Sequence, residues 1–263
     1  MELVANYVDY SKSSSLAAVL RWCDTAGLYI LKDVPEQNVK QKLRAMWWQS
    51  AVMRVIKAEI QVRGAAWETI FASTADSGTS VLANPTLTRL GNTSYTLQTQ
   101  LSLASGGTPL ARVETVMVQL DSDLQRPVPL PHNHLKPLLR PLPEITIPTV
   151  CDPPPSCFTW TVQVRPSDCD LLGHMNNASY AVLFEDARRA AIAGGSGAIE
   201  AVGSDDGLRM ASIEYLAQAR AFDVLRIAVW WDGQCHAYGL VMHTCSASVV
   251  ARAVLVPFEV SRL

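Results

Sequence analysis

No apolar stretch of this chain approaches the roughly 20 residues that cross a bilayer as a helix. Ala251 to Phe258, among the longest, is broken by Arg252 and Pro257, so no membrane span is expected. No two of the six cysteines, Cys23, Cys151, Cys157, Cys169, Cys235 and Cys245, form a Cys-x-x-Cys pair, and no signal peptide is expected before them. Free thiols in a reducing compartment are expected, without structural zinc, other metal or cofactor. Charge is also scarce: 17% of residues are charged and the net charge is −2. That balance argues against nucleic acid as the main partner, while local basic clusters can still meet a phosphate.

Apolar residues are plentiful. With 49% hydrophobic residues in 263, the chain can bury one large core or two small ones. Proline divides it: ten of the fifteen prolines fall between Pro127 and Pro155. Neither helix nor central strand is expected to persist there, so residues 127–157 read as an extended linker over the surface. His132 and His134 lie within it as His-Asn-His without acidic or cysteine partners, and read as solvated loop residues.

The most informative segment is Ser167 to Arg189, SDCDLLGHMNNASYAVLFEDARR. It joins an acidic, histidine-bearing loop to an amphipathic helix expected over Asn177 to about Ala193. Asp170 and His174 are four residues apart and Gly173 lets the backbone turn between them. Asn176, Asn177 and Ser179 offer capping chemistry where free N–H groups gather. Such N–H groups, at the positive end of a helix dipole, can hold the oxyanion formed when an ester carbonyl is attacked. Asp170 would then act as nucleophile or as base for water. An ordinary capped helix with a solvated Asp and His is the plain alternative. Cys169 is expected to point away from Asp170 in an extended segment.

The ungapped string Asp168, Asp170, Gly173, His174, Asn176, Asn177, Tyr180, then Phe184 to Arg188, resembles the hotdog-fold thioesterases, both the 4-hydroxybenzoyl-CoA thioesterase-like group and the acyl-ACP thioesterases. The resemblance implies that Asp170 carries the chemistry and that a backbone N–H of Asn176 or Asn177 binds the oxyanion. It also implies departures from the plant acyl-ACP pattern, since Leu172 stands where an Asn is expected and Gln218 where a Glu is expected. Gln cannot act as a base, though it can orient water or donate to the thioester oxygen. The implied site is therefore Asp-centred: Asp170, His174, Asn176, Asn177 and Gln218. Gly173, Glu214, as a water-positioning candidate, and Asp9 form a second tier. Glu185 is expected to make a surface pair with Arg188 or Arg189. Arg165, Arg188, Arg189, Arg220 and Arg226 are candidates for binding carrier phosphates, and tryptophans such as Trp47, Trp48, Trp67, Trp230 and Trp231 for closing an acyl tunnel.

A weak repeat backs this reading. Sliding the chain by 161 residues aligns Asp170 with Asp9, Asn176 with Ser15, Glu185 with Asp24 and Ala187 with Ala26. A first helix is expected from Ser14 to about Leu31, with apolar residues at helical period. Strand-like segments follow each helix, starting near Ala58 in one copy and Ala211 in the other. The expected fold is α+β, a double hotdog, each unit a central helix wrapped by an antiparallel sheet. The units are 1–126 and 158–263, acting as a pseudo-dimer or within a higher homo-oligomer. The first copy has Lys12 and Ser13 where the second has Gly173 and His174, so the second is expected to hold the active site. Ser261, Arg262 and Leu263 are a variant of the peroxisomal Ser-Lys-Leu signal read by an import receptor. With that address the implied function is acyl-CoA hydrolysis. The alternatives are an acyl-ACP thioesterase and, from another class, a non-catalytic acyl-CoA-binding protein.

Overall fold

Ten strands form one continuous sheet in the order β1-β3-β4-β5-β2-β7-β10-β9-β8-β6, every neighbouring pair antiparallel. The strands are β1 (Glu2–Val4), β2 (Ala51–Ile60), β3 (Ser80–Leu90), β4 (Ser94–Leu103), β5 (Pro109–Gln119), β6 (Phe158–Gln163), β7 (Leu208–Tyr215), β8 (Val224–Trp231), β9 (Ala237–His243) and β10 (Val249–Pro257). The computed structural model describes residues 2–4, 16, 19–20, 51–62, 80–104, 106–121, 126–170, 173–194, 208–231 and 237–258.

The order read from either end is the same. Strands β1-β3-β4-β5-β2 meet β6-β8-β9-β10-β7 at the β2·β7 seam, where Ile56 faces Ile213 and Ala58 faces Ala211. An antiparallel pair at the centre is what a pseudo-twofold axis between two repeats requires. The repeat seen weakly in the sequence is thus explicit in the topology.

Alternation assigns the faces. In β2, Ile56, Ala58 and Ile60 are buried on the helix side, while Lys57 lies on the other face beside Glu114. Helix α2 (Asn177–Ala193) packs against β8 and β6. It drives Phe184, which is fully buried, against β9 at Gly239. Leu16, Val19 and Leu20 are helical and buried in the same core; the rest of the expected first helix lies outside the described residues.

Two expectations are corrected here. Strand β2 starts seven residues before Ala58, and β3 was not foreseen because Pro85 interrupts its pattern. Pro85 is tolerated since, among the described residues, β1 pairs with only Ser80 to Leu82, which leaves that edge of β3 without a strand partner beside it.

The proline-rich segment is a strap, and it does contain a helical turn, α1 (His132–Leu135), followed by a 3-10 turn at Lys136–Leu138. Burial explains the turn: Leu130 and Leu135 pack with Leu87, Tyr95 and Leu97. The strap then crosses the open edge of β3, where the Arg140 amide donates to Leu87 O at 2.8 Å. Gln98 Nε2 donates to Pro143 O at 2.9 Å, and Arg89 pairs with Glu144. Further on, Ile147, Val150 and Cys157 cover the outer face of the second half, against Trp230, Tyr238 and Val254. His132 and His134 are exposed.

Candidate active site

The loop between β6 and α2 is built by short-range hydrogen bonds. Asp168 closes a 3-10 turn at Pro166–Asp168, accepting the Arg165 amide at 2.9 Å and its guanidinium at 2.9 and 3.1 Å. Beyond it the chain doubles back. The Asp170 amide donates to His174 O at 2.8 Å, and the His174 amide donates to Asp170 Oδ1 at 3.2 Å. The turn needs Gly173 at φ +76°, a left-handed conformation that a side chain disfavours.

Helix α2 then starts from a fixed point. Asn176 Oδ1 accepts the Ala178 amide at 2.8 Å, as an N-cap side chain does. The Asn176 amide donates to Asp168 O at 2.8 Å, and Ser179 Oγ donates to the same carbonyl at 3.0 Å. The Asn177 amide, by contrast, has no hydrogen-bond partner among the described residues, as expected for the first turn of a helix.

A second segment, between β7 and β8, is stitched to this loop. The Met175 amide donates to Ala219 O at 2.8 Å and His174 bridges to Arg220. Tyr215 OH donates to Asn177 O at 3.1 Å, and Tyr180 OH accepts the Ala219 amide at 3.3 Å. The two rings meet edge to face at 5.4 Å. Burial pushes the Tyr180 hydroxyl far above its ordinary range, so it stays protonated.

These segments open on a cavity of about 830 Å³. Asp170, His174, Asn177 and Gln218 line it from the second half, together with Met175, Tyr180 and Tyr215. The first half contributes residues 51–54 of β2, Ser94, Met117 and Val118. A single chain thus supplies both walls, with carboxylate, imidazole and helix N-terminus on one side and mostly apolar groups opposite.

Four of the five first-choice residues converge. Asn176 does not line the cavity: its amide and side chain are both used in building the loop, whereas Asn177 does line it. Glu214 is corrected as well, since alternation along β7 turns it away from Tyr215 and it pairs with Arg252 at 2.5 Å. The Glu185–Arg188 pair is not a surface contact: at 2% and 1% exposure it is buried, with nitrogen and oxygen 3.1 Å apart. Arg188 is therefore not free for phosphate, and Arg165 is held by Asp168. Cys169 packs against the core, and burial raises its thiol above the ordinary range, so it is not primed as a thiolate. Trp230 sits on the outer face, its Nε1 donating to Cys151 Sγ at 3.3 Å, and walls no tunnel. Asp9, Lys12, Leu172, Trp47, Trp48, Trp67 and Ser261 to Leu263 lie outside the described residues. The sequence reading missed Arg54 and Tyr215 in the wall. Tyr215 had a signal, as the apolar-face neighbour of Glu214; Arg54 had none.

Residues 164–256 match the family model of the thioesterase-like superfamily. The match spans about a third of the chain and falls within its second half. It contains the whole Asp170 loop, α2 and the Gln218 segment. No curated protein matches the chain. Among solved structures, the 12:0-ACP thioesterase from Umbellularia californica is 18% identical over 97% of this chain and 95% of that one, with TM-score 0.70. An acyl-ACP thioesterase from Bacteroides thetaiotaomicron is 12% identical over 97% and 96%, with TM-score 0.69. These likenesses are of fold. With the symmetric strand order, they show an α+β double hotdog, and the segment that matches the thioesterase-like model lies in its C-terminal member.

Proposed function

We propose that the chain hydrolyses acyl thioesters, with Asp170 as the group that drives water onto the carbonyl. The observation that carries this reading is the convergence of Asp170, His174 and the Asn177 amide, which has no partner among the described residues, on one cavity walled by both halves. Asp170 takes a proton from water as the hydroxyl oxygen bonds to the carbonyl carbon. The carbonyl oxygen becomes an oxyanion, which the Asn177 amide and the dipole of the 17-residue helix stabilise. Collapse breaks the carbon–sulfur bond, and the departing thiolate recovers the proton. Gln218 orients the water, and the buried Tyr180 and Tyr215 hold the helix start in place.

The proposed units are 1–126 and 158–263, joined by the strap 127–157, with chemistry in the second. Coenzyme A is the proposed carrier. Where Ser261, Arg262 and Leu263 form the free end of the mature chain, the tripeptide supports peroxisomal delivery and thus that choice. Acyl carrier protein is the second reading, favoured by the two similar structures, both of acyl-ACP thioesterases.

Thiol release from acyl-CoA and acyl-ACP of graded chain length tests the proposal. Release from acyl-CoA is expected. Tight binding of intact acyl-CoA without release from either carrier would replace the enzyme with a binding protein.

A further inference from the structure

Four consecutive residues of β2, Ala51, Val52, Met53 and Arg54, line the cavity. A regular strand sends alternate side chains to opposite faces and does not present such a run to one side. A β-bulge accounts for it: Met53 pairs with Met117 and Val55 with Val116, so Arg54 is the extra residue, extruded between two paired ones. Bulges re-aim a side chain in this way beside functional sites.

Arg54 is exposed and its guanidinium has no ion-pair or hydrogen-bond partner among the described residues. Other arginines of the first half are engaged: Arg89 with Glu114 and Glu144, Arg112 with Glu59. Arg54 is also the one fixed cation among the described lining residues, whose other ionisable groups are Asp170, His174 and the tyrosines Tyr180 and Tyr215. A planar fork of donors held at an open rim, above an apolar wall of Val52, Met53 and Met117, is suited to a phosphate oxygen pair.

We infer that Arg54 anchors the phosphate of a phosphopantetheine arm while the acyl thioester reaches Asp170. This rests on the hydrolysis reading and deepens it, because the anchor belongs to the half that lacks the Asp170 loop. Coenzyme A and acyl carrier protein share this 4′-phosphate.

The test compares acyl-4′-phosphopantetheine with acyl-pantetheine, on wild type, Arg54→Gln and Arg54→Lys. A charge-assisted contact is worth about 1.5–3 kcal/mol, so Arg54→Gln is expected to raise KM for the phosphorylated ester about 10-fold to 100-fold. The unphosphorylated ester is expected to be unaffected, and Arg54→Lys to recover part of the loss. Acyl-CoA and acyl-ACP are expected to suffer alike. Equal loss with both pantetheine esters, or none with either, would overturn the anchor. Loss with acyl-CoA alone would move the contact to the nucleotide phosphates and overturn this assignment. Calorimetric binding of 4′-phosphopantetheine and pantetheine reads the anchor without turnover. An inactive wild type whose phosphate preference still vanishes in Arg54→Gln would sink the hydrolysis reading while sustaining the anchor.

Discussion

Asp170 and His174 hold each other through reciprocal hydrogen bonds: the Asp170 amide donates to His174 O at 2.8 Å and the His174 amide to Asp170 Oδ1 at 3.2 Å. One carboxylate oxygen is thereby fixed in direction, and the imidazole is carried into the cavity at a set distance along the loop. Preorganisation of this kind removes the cost of arranging the groups during reaction.

The clamp depends on Gly173. A methyl group there meets nothing within 4 Å, so only the φ of +76° opposes substitution. Gly173→Ala is expected to cost about 1–2 kcal/mol through the left-handed backbone. The loop, rather than the core, should absorb the strain. Steady-state kinetics should show a fall in kcat with the far-UV spectrum unchanged; wild-type kcat would contradict the dependence of the clamp on this turn.

Gly239 is under the opposite kind of constraint. A Cβ there would lie 2.3 and 2.4 Å from Phe184 ring carbons, and Phe184 is fully buried. Gly239→Ala is expected to destabilise the fold by about 1–3 kcal/mol by overpacking, seen as a lower urea midpoint. A Phe184→Leu, Gly239→Ala double variant should recover part of that loss.

Breaking the buried Glu185–Arg188 pair at one end leaves a charge in the core. Arg188→Leu is expected to cost about 3–5 kcal/mol, and the double replacement by leucine considerably less. Equilibrium denaturation of the single and double variants measures the difference.

Burial holds the Asp186 carboxyl above the ordinary carboxylate range, against the opposing pull of Arg189 and Arg165. A carboxyl raised in the native state favours folding most when protonated, and that contribution is lost as pH rises through its native pKa. Asp186→Asn should therefore melt at or above wild type at pH 7, with any gain closing below about pH 4. A variant less stable than wild type at pH 7 would contradict the assignment.

The site was legible in the sequence where it is local. The loop and the start of α2 are contiguous, and Asn176, Gly173 and Asp170 carry turn and cap chemistry at short spacing. The helix is found over Asn177–Ala193, as its apolar period predicts. What escaped depends on long-range placement. Glu185 and Arg188 look like a solvated i, i+3 pair until the sheet covers them. The residue pattern of β3 hides a strand behind Pro85, because only topology reveals the open edge. Arg54 joins the cavity through a pairing slip with β5, which no residue type in β2 signals.

The most direct test is the rate of thiol release from a saturating acyl-CoA by wild type, Asp170→Asn and Asp9→Asn. Loss of a positioned base costs roughly 10²-fold to 10⁴-fold, and the account predicts that loss in Asp170→Asn alone. Wild-type turnover in Asp170→Asn, or loss confined to Asp9→Asn, would contradict it.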